Sequence, residues 1–267
     1  MPSRFAKFVL ISLLSGSAFA QTLGLDAPRL FDRGMDALTG VGQSRSDQLA
    51  LDNIHRAADL AYAPAEVVMG YFYETGTVVA ADPSQAAEWY RKASKQGDKV
   101  GSWLLGRLYF TGSGVPRDLD QAEAALIKAA GQNDPYGQYL LGMVKLSRND
   151  YVGAATWFRR AANQGIPQAQ QQYGELLKDG KTGTADKSEA FLWLSISFDA
   201  GNQSAGPSLA ELQGQLGATE VEKVKNKARD LEQVVTRAAI ARGCTGWQGE
   251  LDVVPAPPTP DISRFCR

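Results

Sequence analysis

Aspartates and glycines are the residues of this chain whose types and spacing invite a chemical reading. Ser46, Asp82, Asp118, Asp150 and Asp186 recur at regular intervals, and Gly112-Ser113-Gly114 closes an apolar run. Spaced carboxylates suit general acid–base work, and a glycine-rich turn suits a phosphate. Neither reading is completed. After Gly114 come Val115, Pro116, Arg117 and Asp118, so there is no Gly-Lys-Ser/Thr and no full G-x-G-x-x-G. Pro83 follows Asp82, and Gln85, Gln121 and Glu189 stand three residues after their aspartates, the pattern of capped helix starts. The single histidine, His55, reads as a helix-surface residue. Cys244 and Cys266 are the only cysteines, too few thiols for a structural zinc site. No catalytic residue, metal ligand or cofactor is assigned.

The elements that carry these residues repeat. Gly34, Gly70, Gly106 and Gly142 are spaced by 36 residues each, and Gly174 follows after 32. Every glycine sits in one apolar-periodic stretch, and a second follows downstream, as in AEWYRKASKQG and ATWFRRAANQG. Each unit therefore reads as two short amphipathic helices, with Gly40, Gly42, Gly76, Gly112, Gly114 and Gly180 turning the chain between them. Glycine inside a helix costs about 1 kcal/mol against alanine, so its recurrence predicts a close approach by the partner helix. The aspartate series, with Ser46 in the first unit, marks where each second helix begins.

This pattern resembles the Sel-one-like repeat, a longer relative of the tetratricopeptide repeat. The second unit carries it through Ala65, Gly70, Tyr73, Gly76, Asp82, Ala86, Trp89, Tyr90, Ala93 and Gly97. The next keeps Leu105, Gly106, Tyr109, Gly112, Asp118, Ala122, Ala129 and Ala130, but has Ala125 in place of the tryptophan. The unit after that has Lys145 for the tyrosine and a loop shorter by four residues. The resemblance implies an all-α fold, an α/α superhelical solenoid of about five helix pairs over residues 28–203. Residues 204–242 read as a helical cap, with Thr219 and Glu222 as a capping box, and 243–267 as an irregular tail containing VVPAPPTP.

The first residues, MPSRFAKFVLISLLSGSAFA, place Arg4 and Lys7 before the apolar run Phe8 to Leu14 and end on Ala18-Phe19-Ala20. That is the pattern of a secretory signal peptide, residues 1–20, cleaved after Ala20. The expected location is periplasmic or secreted, with no integral membrane segment in the mature chain. Cys244 and Cys266 are then expected to pair and tie back the tail, a loop of about 22 residues worth on the order of 3 kcal/mol. Formal net charge is −1, which gives no footprint for a nucleic acid partner.

The resemblance further implies that the first helix of each unit lines a concave side. Residues three before, one after and four after the repeated glycine share a helical stripe. They are Phe31, Met35 and Leu38, then Val67, Tyr71 and Glu74, then Trp103, Arg107 and Phe110, then Tyr139, Met143 and Leu146, and finally Gln171, Glu175 and Lys178. Tyr71, Glu74, Trp103, Arg107, Phe110, Tyr139 and Met143 are the candidate partner-binding residues, because Trp, Tyr, Met and Arg dominate binding hot spots. Arg107 would meet a carboxylate of the partner. The competing reading is that the stripe packs neighbouring helices together. Relatives imply a monomeric exported scaffold for another envelope protein, such as a sensor kinase, a motor or a secretion component. A cell-wall or β-lactam hydrolase and a glycan or peptide-ligand binder remain alternatives. The cysteine-rich relatives linked to β-lactam chemistry carry a disulfide in each repeat, and this array has none.

Overall fold

The computed structural model describes residues 26–42 and 44–245, with side chains through Arg237. The signal peptide, the Cys244–Cys266 pairing and the proline-containing tail lie outside the described residues. Five helix pairs come first: α1 (Ala27–Thr39) with α2 (Asp47–Asp59), α3 (Ala63–Thr75) with α4 (Pro83–Lys95), and α5 (Lys99–Thr111) with α6 (Leu119–Gly131). Then come α7 (Pro135–Ser147) with α8 (Tyr151–Asn163), and α9 (Pro167–Lys178) with α10 (Lys187–Asp199). A 3-10 turn (Gln203–Ala205), α11 (Gly206–Gln215) and α12 (Ala218–Thr245) complete the described residues, among which no strand occurs. The fold class is the all-α solenoid of helix pairs. Two compact units divide within α4, between Ala93 and Ser94.

The predicted helix starts are present at all five second helices. The Ser46 hydroxyl accepts from the Leu49 amide at 3.3 Å, and Asp82 Oδ1 from Ser84 and Gln85 at 3.0 and 3.1 Å. Asp118 accepts from Asp120 and Gln121, Asp150 from Gly153, and Asp186 from Glu189, all at 2.9–3.0 Å. Each bond satisfies an amide that has no partner inside its helix. The acid–base reading of these carboxylates ends here.

The recurrent glycine lies where the two helices of a pair touch. A β-carbon on Gly34 would stand 2.6 Å from the Ile54 side chain, on Gly106 2.6 Å from Leu126, on Gly142 2.6 Å from Phe158 and on Gly174 2.8 Å from Leu194. Gly70 faces the Tyr90 ring in the same way. Where the loop is shortened, Asn149 takes the left-handed conformation (φ 59°) that glycine takes in the longer loops, and Asp150 at once caps α8.

The first unit buries Leu30, Phe31, Ile54, Val68, Met69 and Phe72 in one cluster, with the Phe31 and Tyr62 rings edge to face at 5.4 Å. In the second, Phe158, Ile166, Phe191, Leu192, Trp193 and Leu194 form a core that continues through Leu212 to Val221, Val224 and Ala228. Thus α11 and α12 cover the end of the array, and Lys227 Nζ donates to Glu189 at 3.0 Å. Helix α12 begins at Ala218, so Thr219 lies inside its first turn rather than at the cap that the sequence suggested. At 28 residues it also outruns the expected end at Arg242. No helix among the described residues is long and apolar enough to cross a membrane.

Candidate interaction surface

Burial divides the stripe of candidate residues by position. Three before the glycine, Phe31, Val67 and Trp103 are 3%, 0% and 3% exposed. Trp103 packs against Tyr136 of α7, ring centres 5.3 Å apart, so it joins successive first helices and offers a partner no surface. That packing agrees with the competing reading of the stripe at this position. Tyr139, at the same position in α7, is half-buried 6.0 Å from Phe158, and burial pushes its phenol above the usual pKa. Glu74 is engaged within its own helix pair, its Oε2 accepting from the Tyr90 hydroxyl at 2.8 Å. It fixes α4 against α3, which argues against a role in partner contact.

The positions immediately after the glycine differ. Tyr71, Arg107 and Met143 are each half-buried. The Arg107 guanidinium carbon sits 6.0 Å from the Trp103 ring centre on the same helix. Phe110 is also half-buried, and the Arg117 guanidinium lies 5.9 Å from its ring centre while Arg117 Nε donates to the Phe110 carbonyl. Tyr71 belongs to the first unit, and Arg107, Phe110 and Met143 to the second.

The polar end of the stripe has a structural explanation. Gln171 Nε2 donates to the Ser204 carbonyl at 3.1 Å, and Asn202 Nδ2 donates to Gln171 Oε1 at 3.0 Å. Lys178 Nζ meets Ser208 Oγ at 2.9 Å, Glu175 at 3.0 Å and Glu211 at 3.4 Å. Burial would lower its pKa, but the two carboxylates outweigh burial and raise it. Gln171 and Lys178 thus dock the segment that caps the array.

Lys145 shows the same economy. It replaces the family tyrosine, and its Nζ reaches Glu123 Oε1 on α6 at 2.6 Å, while Arg148 bridges Glu123 and Asp120. The tyrosine of the second repeat, Tyr73, lines one groove with Leu51, which precedes it by the same 22 residues that separate Glu123 from Lys145. One ion pair stands where the first unit places two apolar groups.

A row beside the stripe is buried. Four residues before the glycine, Glu66, Ser102, Gln138 and Gln170 are 3%, 0%, 2% and 1% exposed. Ser102 Oγ donates to the Asp98 carbonyl and accepts from the Ser94 hydroxyl, and Gln170 Nε2 donates to the Ala162 carbonyl. They close the turns between repeats. The signal in the sequence was a polar residue recurring on the buried side of an amphipathic helix. Among the described residues, no group of three or more His, Cys, Asp and Glu is placed to hold a metal ion, and His55 lies on the α2 surface, paired with Asp59 at 3.1 Å.

Helix pairs of this length, locked by one glycine and started by one capping residue, are matched by the family model for the Sel1 repeat over residues 34–62, 63–98, 101–134, 135–166 and 167–202. The chain belongs to the Sel1 repeat family. A Sel1 repeat protein from Oxalobacter formigenes has a similar structure, with TM-score 0.68, 23% sequence identity and coverage of 82% of this chain and 88% of that one. A protective antigen of uropathogenic Escherichia coli strains, displaying an SLR fold, matches 85% of this chain with TM-score 0.54 and 23% identity. The match spans 57% of the antigen's length. At these identities the Sel1 neighbours speak for the fold alone.

Proposed function

We propose that this Sel1 repeat protein is an exported interaction scaffold that binds another protein of the bacterial envelope through its first helices. Sel1 repeats generally mediate protein–protein interaction. The observation that carries the reading is the half-exposure of Tyr71, Arg107 and Met143 at one repeat position, beside neighbours buried in helix packing. Tyrosine, arginine and methionine combine apolar area with polar or polarisable groups, as interface anchors do. Export is supported by the basic, apolar and small-residue leader of residues 1–20.

Site-specific photocrosslinking tests the surface. A benzophenone side chain at Tyr71 or Met143 should capture one envelope protein in living cells, and the same group at Gln121, exposed on α6, should not. Equal capture from all three positions, or none from Tyr71 and Met143, sinks the assignment. Intact-mass measurement of envelope-extracted protein tests export, with Gln21 expected as the first residue; retention of Met1 refutes it.

A further inference from the structure

An open groove of about 460 Å³ lies in the second unit, where the turn between α6 and α7 faces α8. Its lining includes the side-chain amides of Asn133, Gln138, Asn163 and Gln164, the Trp157 indole and the Arg160 guanidinium, and no carboxylate. Three of these amides, those of Asn133, Gln138 and Gln164, are tied together by hydrogen bonds. Gln138, 2% exposed, donates through Nε2 to Asn133 Oδ1 at 2.9 Å. Gln164 Nε2 donates to Gln138 Oε1 at 2.8 Å and to Asn133 Oδ1 at 3.3 Å. These bonds occupy the Asn133 oxygen, and among the described residues no acceptor is within reach of its Nδ2 hydrogens.

Asn133 is there because of its backbone. It takes the left-handed conformation (φ 59°) where Gly97, Gly165 and Gly201 stand in the other turns of this unit. Asparagine tolerates that conformation, so among the turns that join one helix pair to the next in this unit, this one carries a side chain there. Arg160 is the cation of the lining. Its guanidinium carbon sits 4.7 Å from the Trp157 ring centre, and no carboxylate among the described residues lies within ion-pair distance.

A guanidinium held over an aromatic ring can keep N–H groups free for a carboxylate. Side-chain amides carry both a donor and an acceptor, as a peptide unit does. We propose that this groove binds an extended acidic peptide segment of a partner, an Asp or Glu carboxylate on Arg160 and the neighbouring main chain on the amides of Asn133 and Asn163. A sugar ring fits less well, because Arg160 covers the Trp157 face on which it would stack. The groove is separate from the first-helix residues, and its test is independent of theirs.

The test is an NMR titration of the indole N–H of Trp157, assigned with Trp157→Phe. The probes are a blocked hexapeptide alternating glutamate and alanine, the same peptide with glutamine for glutamate, and tetragalacturonate. The acidic peptide should move the Trp157 signal, and Arg160→Gln should weaken its binding about tenfold or more with the rest of the spectrum unchanged, since a charge-assisted bidentate contact is lost. Arg160→Lys, which keeps the charge and loses the planar fork, should fall between. The proposal is overturned if the glutamine peptide binds as well as the acidic one, if Arg160→Gln leaves affinity unchanged, if tetragalacturonate alone binds, or if no probe moves the signal. Tyr71 or Met143 substitutions should leave this titration unaltered, so the two surfaces fail or stand separately.

Discussion

Gly142→Ala should destabilise the protein although alanine is the better helix former. In an exposed helix the change would gain about 1 kcal/mol. At position 142 the new β-carbon would lie 2.6 Å from both Cδ1 and Cε1 of Phe158, about 1 Å inside an ordinary carbon–carbon contact. Phe158 is fully buried and its ring is rigid, so the helices must separate instead. Overpacking of this kind costs about 3 kcal/mol at the upper end of its usual range, which leaves a net loss of about 2 kcal/mol. For a domain of this size that corresponds to a fall in Tm of roughly 4–8 °C. The control is Gly214→Ala in α11, where a β-carbon meets nothing within 4 Å, and where a gain of roughly 0.5–1 kcal/mol is expected. Urea unfolding followed by circular dichroism measures both. Opposite signs support the close-approach account, and the penalty at 142 should shrink in a Phe158→Leu background. If Gly142→Ala is as stable as the parent, the repeated glycine is not there for helix contact and the reasoning fails.

Lys145→Tyr alone should cost about 1 kcal/mol by breaking a partly buried ion pair, and Lys145→Tyr with Glu123→Leu should recover most of it; additive losses in a double-mutant cycle would show that the two residues do not substitute for Tyr73 and Leu51. Burial pushes the Asp98 carboxyl up, against hydrogen bonds from the Gly101 and Val100 amides that lower it. A raised folded pKa means that its contribution is fully present below the unfolded carboxylate value and is lost as pH rises through the folded one. The Tm advantage of Asp98→Asn over the parent should therefore grow between about pH 3 and about pH 7, and a flat difference would contradict this sign. Reduction of the proposed Cys244–Cys266 bond should leave the far-ultraviolet signal of the array nearly unchanged, and its collapse would show that the tail is integral to the fold.

Much of the fold was legible because its signals are local. A capping side chain bonds amides two or three residues away, so Ser46, Asp82, Asp118, Asp150 and Asp186 announce helix starts without any tertiary information. The glycine series was also readable, since a helix-breaking residue retained at a fixed period needs a close neighbour. The stripe was harder. Helical periodicity puts residues on one side of a helix, but a side can face another repeat or solvent, and composition is similar for both.

The sequence by itself determined the repeat, the number of helix pairs, the starts of their second helices and the glycine contacts, all of which follow from short-range bonding and spacing. Only the tertiary structure decided that Trp103 is spent on Tyr136, that Gln171 and Lys178 hold the cap, and that Lys145 answers Glu123. It also brought together Asn133, Gln138, Trp157, Arg160 and Gln164. The physical reason is the same in each case. The partners come from different helices, and which half of an amphipathic stripe remains in water depends on how the next helix lies across it.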